Sequence, residues 1–150
     1  MKSIFDQKTY QEVLSRLDDL SAEHQAKWGK MNLNQMLKHC QKAILVAFGE
    51  ETITPPNVLV RFVLSFLKPT LYNDKPWKKG LPTAKEFVIV ETDDFADERD
   101  TLKALITRFQ QSEESFEPYK KHPVFGKLKP WMWGKWGYKH IDHHLKQFGV

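Results

Sequence analysis

Three histidines stand within five residues in the stretch WGYKHIDHHLKQFG, Trp136 to Gly149, half of the six in the chain. Imidazole nitrogens carry protons near neutral pH and bind divalent metals, so their spacing decides what they can do. On a helix turning about 100° per residue, His140 and His144 fall one turn apart on one face and can share an ion. Gln147 lies about 40° from their midline, Trp133 almost on it, and Trp136 and Phe148 about 60° away. His143 sits about 80° off, on the flank, and Asp142 points to the opposite side. An H-x-x-x-H pair of this kind holds zinc or a similar divalent metal. A metalloprotease would need glutamate directly after the first histidine; Ile141 is there, which excludes that class.

Two imidazoles hold an ion weakly, so a third ligand must come from another helix. His39 is the best placed, on the second helix beside Ala43 and Val46, toward the edge of that helix's apolar stripe. His24 and His122 fall in expected loops and are weaker candidates. The competing reading is structural. Histidines near a helix C-terminus gain from its dipole without binding anything, a semi-buried His39 needs only a hydrogen bond, and Trp133, Trp136 and Phe148 serve equally well as core. Cys40 reads as a small apolar packer, since nothing in the sequence lowers its thiol pKa.

The elements that must position these residues are helical. Asp6 caps a first helix that carries Tyr10, Val13, Leu14, Leu17 and Leu20 at helical spacing. SAEHQAKWGKM is a loop ended by Gly29. Asn32 caps a second helix, with Gln35 three residues on, and Gly49 stops it. Its stripe runs through Leu33, Met36, Leu37, Cys40, Ala43, Ile44, Ala47 and Phe48. Pro55 and Pro56 break the pattern, Asn57 caps a short helix over Val58–Leu67, and the stretch beyond it is irregular. EFVIV, Glu86–Val90, has no partner strand and reads as extended chain packed on the helices. Another helix follows Asp94 with Phe95, Leu102, Leu105, Ile106 and Phe109 inward and its acids in the first turns. HPVFGKLKP is loop, and Pro130 opens the last helix toward Phe148. The expectation is an all-α bundle of four main helices and one short one. Its connection of roughly forty residues is long enough to cross the bundle, so a simple up-down-up-down order is not required.

The totals agree with one folded domain over 1–150: 41% hydrophobic and 28% charged residues in 150. A single cysteine excludes an intramolecular disulfide and a multi-cysteine zinc cage, and a lone thiol fits the cytoplasm. The N-terminal stretch lacks the apolar core of a signal peptide. VLVRFVLSFL is too short to span a bilayer and carries Arg61; it suits a buried or surface-lying helix, and exposed apolar surface there would point to a homodimer. Net charge is +4. The lysines from Ser115 onward, seven against Glu117 and Asp142, read as a solvated face rather than a nucleic-acid surface.

A mid-chain histidine on the second helix, followed by H-x-x-x-H-x-x-Q on the last, resembles the DinB/YfiT-like superfamily of metal-binding four-helix bundles. More closely, KWGKMNLNQMLKHC together with HPVFGKLKPWMWGKWGYKHIDHHLKQFG is similar to a DinB-related bacterial family of unknown function, and the resemblance runs the length of the chain. It implies helices in up-down-down-up order and one divalent ion, zinc or nickel, held by His39, His140 and His144, with water or substrate completing the coordination. Gln147 matches the motif glutamine, as a support rather than a ligand. His143 remains a flank residue that could carry a proton. Superfamily relatives resemble thiol S-transferases using a low-molecular-weight thiol, and hydrolases acting on small molecules. The alternative is a non-catalytic metal- or small-molecule-binding bundle, such as a stress-linked accessory protein. This chain departs from the usual ending: Leu145 and Lys146 stand where arginine and glycine follow the last histidine.

Overall fold

Most helices begin where a side chain satisfies the first free backbone N–H groups. The computed structural model describes residues 1–115 and 121–150. Asp6 accepts from the Thr9 N–H at 2.8 Å and opens α1, Gln7–Asp18. Asn32 and Gln35 form a reciprocal capping box, 2.9 and 3.0 Å, at the start of α2, Leu33–Phe48. Gly49 ends α2 in the left-handed conformation (φ 77°), which costs glycine nothing sterically. Asn57 caps α3, Val58–Ser65, and Asp94 caps α4, Phe95–Gln111. The last helix, α5, spans Pro130–Phe148 without a side-chain cap, because Lys129 can only offer its carbonyl, which accepts from Met132 and Trp133.

The described chain is mostly helical, as the periodicity predicts. α2 packs on α4 and α5, and α1 packs on the same two helices. One buried cluster joins them: Val13 and Leu17 from α1, Leu37 and Ile44 from α2, Leu102, Ile106 and Phe109 from α4, and Trp133, Ile141 and Leu145 from α5. Two glycines of α5 allow this closeness. A Cβ on Gly137 would lie 2.5 Å from the Phe109 ring, and one on Gly134 would lie 2.5 Å from the ring of Phe5. Phe5 and Phe109 in turn pack together at 5.4 Å.

Three regions differ from expectation in detail. α3 stops two residues early: the Phe66 and Leu67 N–H groups turn back to Val63 and Leu64, and Pro69 has no N–H to continue a helix. A short 3-10 turn, Lys68–Leu71, follows. The segment Glu86–Val90 begins in a second 3-10 turn, Lys85–Phe87, and extends only from Val88, with Ile89 buried between exposed Val88 and Val90. The expected loop at His122 contains a two-residue hairpin, β1 Lys121–His122 against β2 Gly126–Lys127. The His122 Nδ1 closes its turn by accepting from the Val124 and Phe125 N–H groups. Of the basic C-terminal stretch, Glu117 and Lys120 lie outside the described residues.

The irregular middle is tied down by side chains of α2 and α5. Lys139 is 6% exposed. Its ammonium donates to the Thr70 carbonyl (2.6 Å), the Asn73 carbonyl (3.0 Å) and the Asn73 side-chain oxygen (2.8 Å). Gln35 donates to the Ile89 carbonyl and Lys42 to that of Glu86. These bonds hold the segment that carries Trp77 and Phe87 against α5 and α2. Among the described residues no helix is long and apolar enough to cross a membrane.

Candidate metal centre

His39 projects from α2 toward α5, and His140 and His144 project from successive turns of α5 toward α2. All three are buried, 3%, 9% and 7% exposed. His39 Nε2 stands 3.0 Å from His140 Nε2. One ring nitrogen from each of the three lies within 4.8 Å of the others. Ligand nitrogens about 2.1 Å from one ion stand roughly 3–3.4 Å apart, so the His39–His140 spacing already fits, and the third ring needs only a small rotation.

The outer nitrogens show which way the inner ones face. His39 Nδ1 makes a long 3.5 Å contact with the Phe87 carbonyl, and His144 Nδ1 lies 2.9 Å from Gln147 Oε1. Both acceptors call for the proton on Nδ1, which leaves each Nε2 as a bare lone pair. Gln147 is itself held, its Nε2 donating to the Trp28 carbonyl at 2.6 Å. Its backbone carbonyl accepts from the Lys27 N–H at 2.8 Å. Gly29 is needed beside it twice over: its φ is 87°, and a Cβ there would come 2.5 Å from Gln147 Nε2. The loop ended by Gly29 therefore clamps the glutamine that orients His144.

Burial keeps this cluster neutral. It pushes His39 below its usual pKa, His140 well below, and His144 down to about 3, with the neighbouring histidines adding to the effect for His140 and His144. Neutral imidazoles are the form that binds metal. Facing nitrogens at 3.0 Å repel unless a proton or a cation sits between them. The donor set fits a divalent ion.

Aromatic side chains wall the site. Trp136 lies 5.5 Å from the His140 ring, Trp77 5.8 Å from it, and Phe87 5.4 Å from His39. His143 is half-buried at the rim, between Trp28 at 6.0 Å and Trp77 at 5.9 Å. It joins the surroundings of the cluster and not the cluster itself. The remaining histidines are elsewhere: His24 bonds to Ser21, and His122 is buried against Trp133 and Trp136. Trp133 and Phe148 are core, and Cys40 is a buried packer whose thiol burial pushes up. Spacing along the chain gave no hint of Trp28, Trp77 or Phe87 here, because they come from irregular segments with no period to read.

A family model described as "Protein of unknown function (DUF1569)" matches residues 3–149. The chain belongs to that family. No curated protein matches it, and no solved structure does. Within this DUF1569 chain, the chemistry must be read from the three histidines and their walls.

Proposed function

We propose that the chain is a divalent-metal-dependent enzyme of the DinB-like superfamily, its ion, zinc or nickel, held by His39, His140 and His144. The observation that carries this reading is the convergence of three buried, neutral imidazoles, with the outer nitrogens of His39 and His144 facing a carbonyl and an amide oxygen. The pairwise packing of α1 and α2 on α4 and α5 supports the four-helix arrangement of that superfamily. The long connection after α2 leaves room for its up-down-down-up order.

Such a centre, with three protein ligands and an open position, lowers the pKa of a bound water or thiol so that either becomes a nucleophile near neutral pH. The reaction class that follows is transfer to a low-molecular-weight thiol or hydrolysis of a small molecule. The chain's own residues do the rest. Gln147 holds His144 in the tautomer that presents Nε2, and the Phe87 carbonyl does the same for His39. Trp77, Trp136 and Phe87 exclude bulk water from one side. His143, half-buried between two tryptophans, is placed to move a proton at the mouth.

A second reading, a non-catalytic metal- or small-molecule-binding bundle, is favoured by one observation: among the described residues the three histidines hydrogen-bond to no carboxylate. Turnover of thiol-transfer or hydrolysis substrates by metal-loaded protein, absent in a His39→Ala, His140→Ala, His144→Ala variant, separates the two. Stoichiometric metal without turnover of either substrate class would favour the binding protein.

A further inference from the structure

α3 is inverted relative to an ordinary surface helix. Leu59, Phe62, Val63 and Phe66 share one face within about 100° of arc, and they are 73%, 62%, 57% and 69% exposed. Phe62 and Phe66 meet edge to face at 5.2 Å, so the stripe is continuous. Only Leu64, on the far side, is partly covered. Apolar patches of this kind on a protein surface mark an interaction site.

Charge identifies what the stripe meets. From Val58 to Lys85 the chain carries six cations, Arg61, Lys68, Lys75, Lys78, Lys79 and Lys85, against one acid, Asp74. Asp74 is paired with the N-terminal ammonium at 2.8 Å. This segment is thus +5, while the whole protein is +4, so the remaining residues sum to −1. Beside the apolar helix itself, Arg61 and Lys68 stand with Lys127, whose carbonyl accepts from the Lys68 ammonium, and no acid occurs between Val58 and Asn73. A second copy docking through the same face would bring two such segments together, like charge against like. An anionic bilayer surface accepts both features: the phenylalanines enter the headgroup boundary and the lysines meet lipid phosphates.

We propose that this segment is a docking surface for anionic phospholipid membranes, with α3 lying in the interface plane and Leu59, Phe62, Val63 and Phe66 inserted. The four inserted side chains of α3 are separate from the histidine centre and do not depend on its chemistry. The eight residues of α3 do not span; they anchor peripherally.

The test is co-sedimentation of the full chain with vesicles of phosphatidylglycerol and phosphatidylcholine, beside vesicles of phosphatidylcholine alone. The protein should pellet with the first and not the second, and salt should release it. Phe62→Ser with Phe66→Ser, both exposed and so harmless to folding, should abolish binding while circular dichroism stays unchanged. Each cation near an anionic surface gains on the order of fivefold in partition, so Arg61→Glu with Lys68→Glu should weaken binding by more than about tenfold. Sedimentation equilibrium on the same samples should show a monomer. Failure of the wild type to pellet with anionic vesicles overturns the proposal, as does a dimer that the Phe62→Ser, Phe66→Ser variant dissociates.

Discussion

At the scale of single residues, the centre depends on groups that never touch the ion. Gln147 accepts from His144 and donates to Trp28, so it fixes both the tautomer and the direction of one ligand. Gln147→Leu should retain the fold but weaken metal binding roughly 10- to 100-fold, read by competition with a chelator. Affinity unchanged in that variant would remove Gln147 from the account. His122 makes a separate prediction, because it lies outside the cluster. Burial lowers its pKa from 6.5 to about 4. The unfolded chain therefore takes up a proton there before the folded one does. Its contribution is intact above pH 6.5 and is lost as pH falls toward 4, by up to about 3 kcal/mol. His122→Asn keeps an acceptor for the Val124 and Phe125 N–H groups and does not titrate. Urea unfolding of wild type and variant at pH 7 and pH 4.5 should show the wild type losing more stability; equal losses would mean His122 is not held neutral.

At the scale of elements, helix joints are where local pattern and tertiary fit part company. The acids after Asp94 read as first-turn residues favoured by the helix dipole, and Asp97, exposed in the first turn, fits that role alone. Glu98 does not: it is 1% exposed. Its carboxyl accepts from the Gln41 side chain at 2.6 Å and the Asp93 N–H at 2.9 Å, and pairs with Lys38 at 3.3 Å. It locks the start of α4 to α2, which carries His39. Glu98→Ala should cost about 1–3 kcal/mol in urea unfolding, because it removes the acceptor of the Asp93 N–H and one of the two acceptors of Gln41. Gly137 is the other joint. Gly137→Ala forces a methyl into the Phe109 ring and should cost about 1–3 kcal/mol. A neutral result would mean that Phe109 has room to move. Neither residue announces its partner along the chain, since a buried acid and a space-saving glycine are defined by what comes from elsewhere.

At the scale of the whole molecule, legibility follows period and capping chemistry. Asp6, Asn32 with Gln35, Asn57, Asp94 and Pro130 mark helix starts, and each helix begins beside its mark. The face shared by His140, His144 and Gln147 is a matter of 3.6 residues per turn and reads directly. The meeting of His39 with that face, across a separation of 101 residues, does not follow from either helix alone. The aromatic wall is illegible for a different reason: Trp28, Trp77 and Phe87 sit in segments without periodicity, held through backbone carbonyls by Gln147 for Trp28 and by Lys139, Gln35 and Lys42 for the segment carrying Trp77 and Phe87. The same irregular stretch holds the outward-facing α3, whose apolar pattern reads equally as core or as surface until its neighbours are known.

The most direct test of the central claim is the divalent-metal content and affinity of the purified protein beside His39→Ala, His144→Ala and His143→Ala variants. The account predicts near-stoichiometric zinc or nickel in the wild type, lost in the first two variants and kept in the third. Absence of tight metal binding in the wild type, or equal loss in His143→Ala, would contradict it.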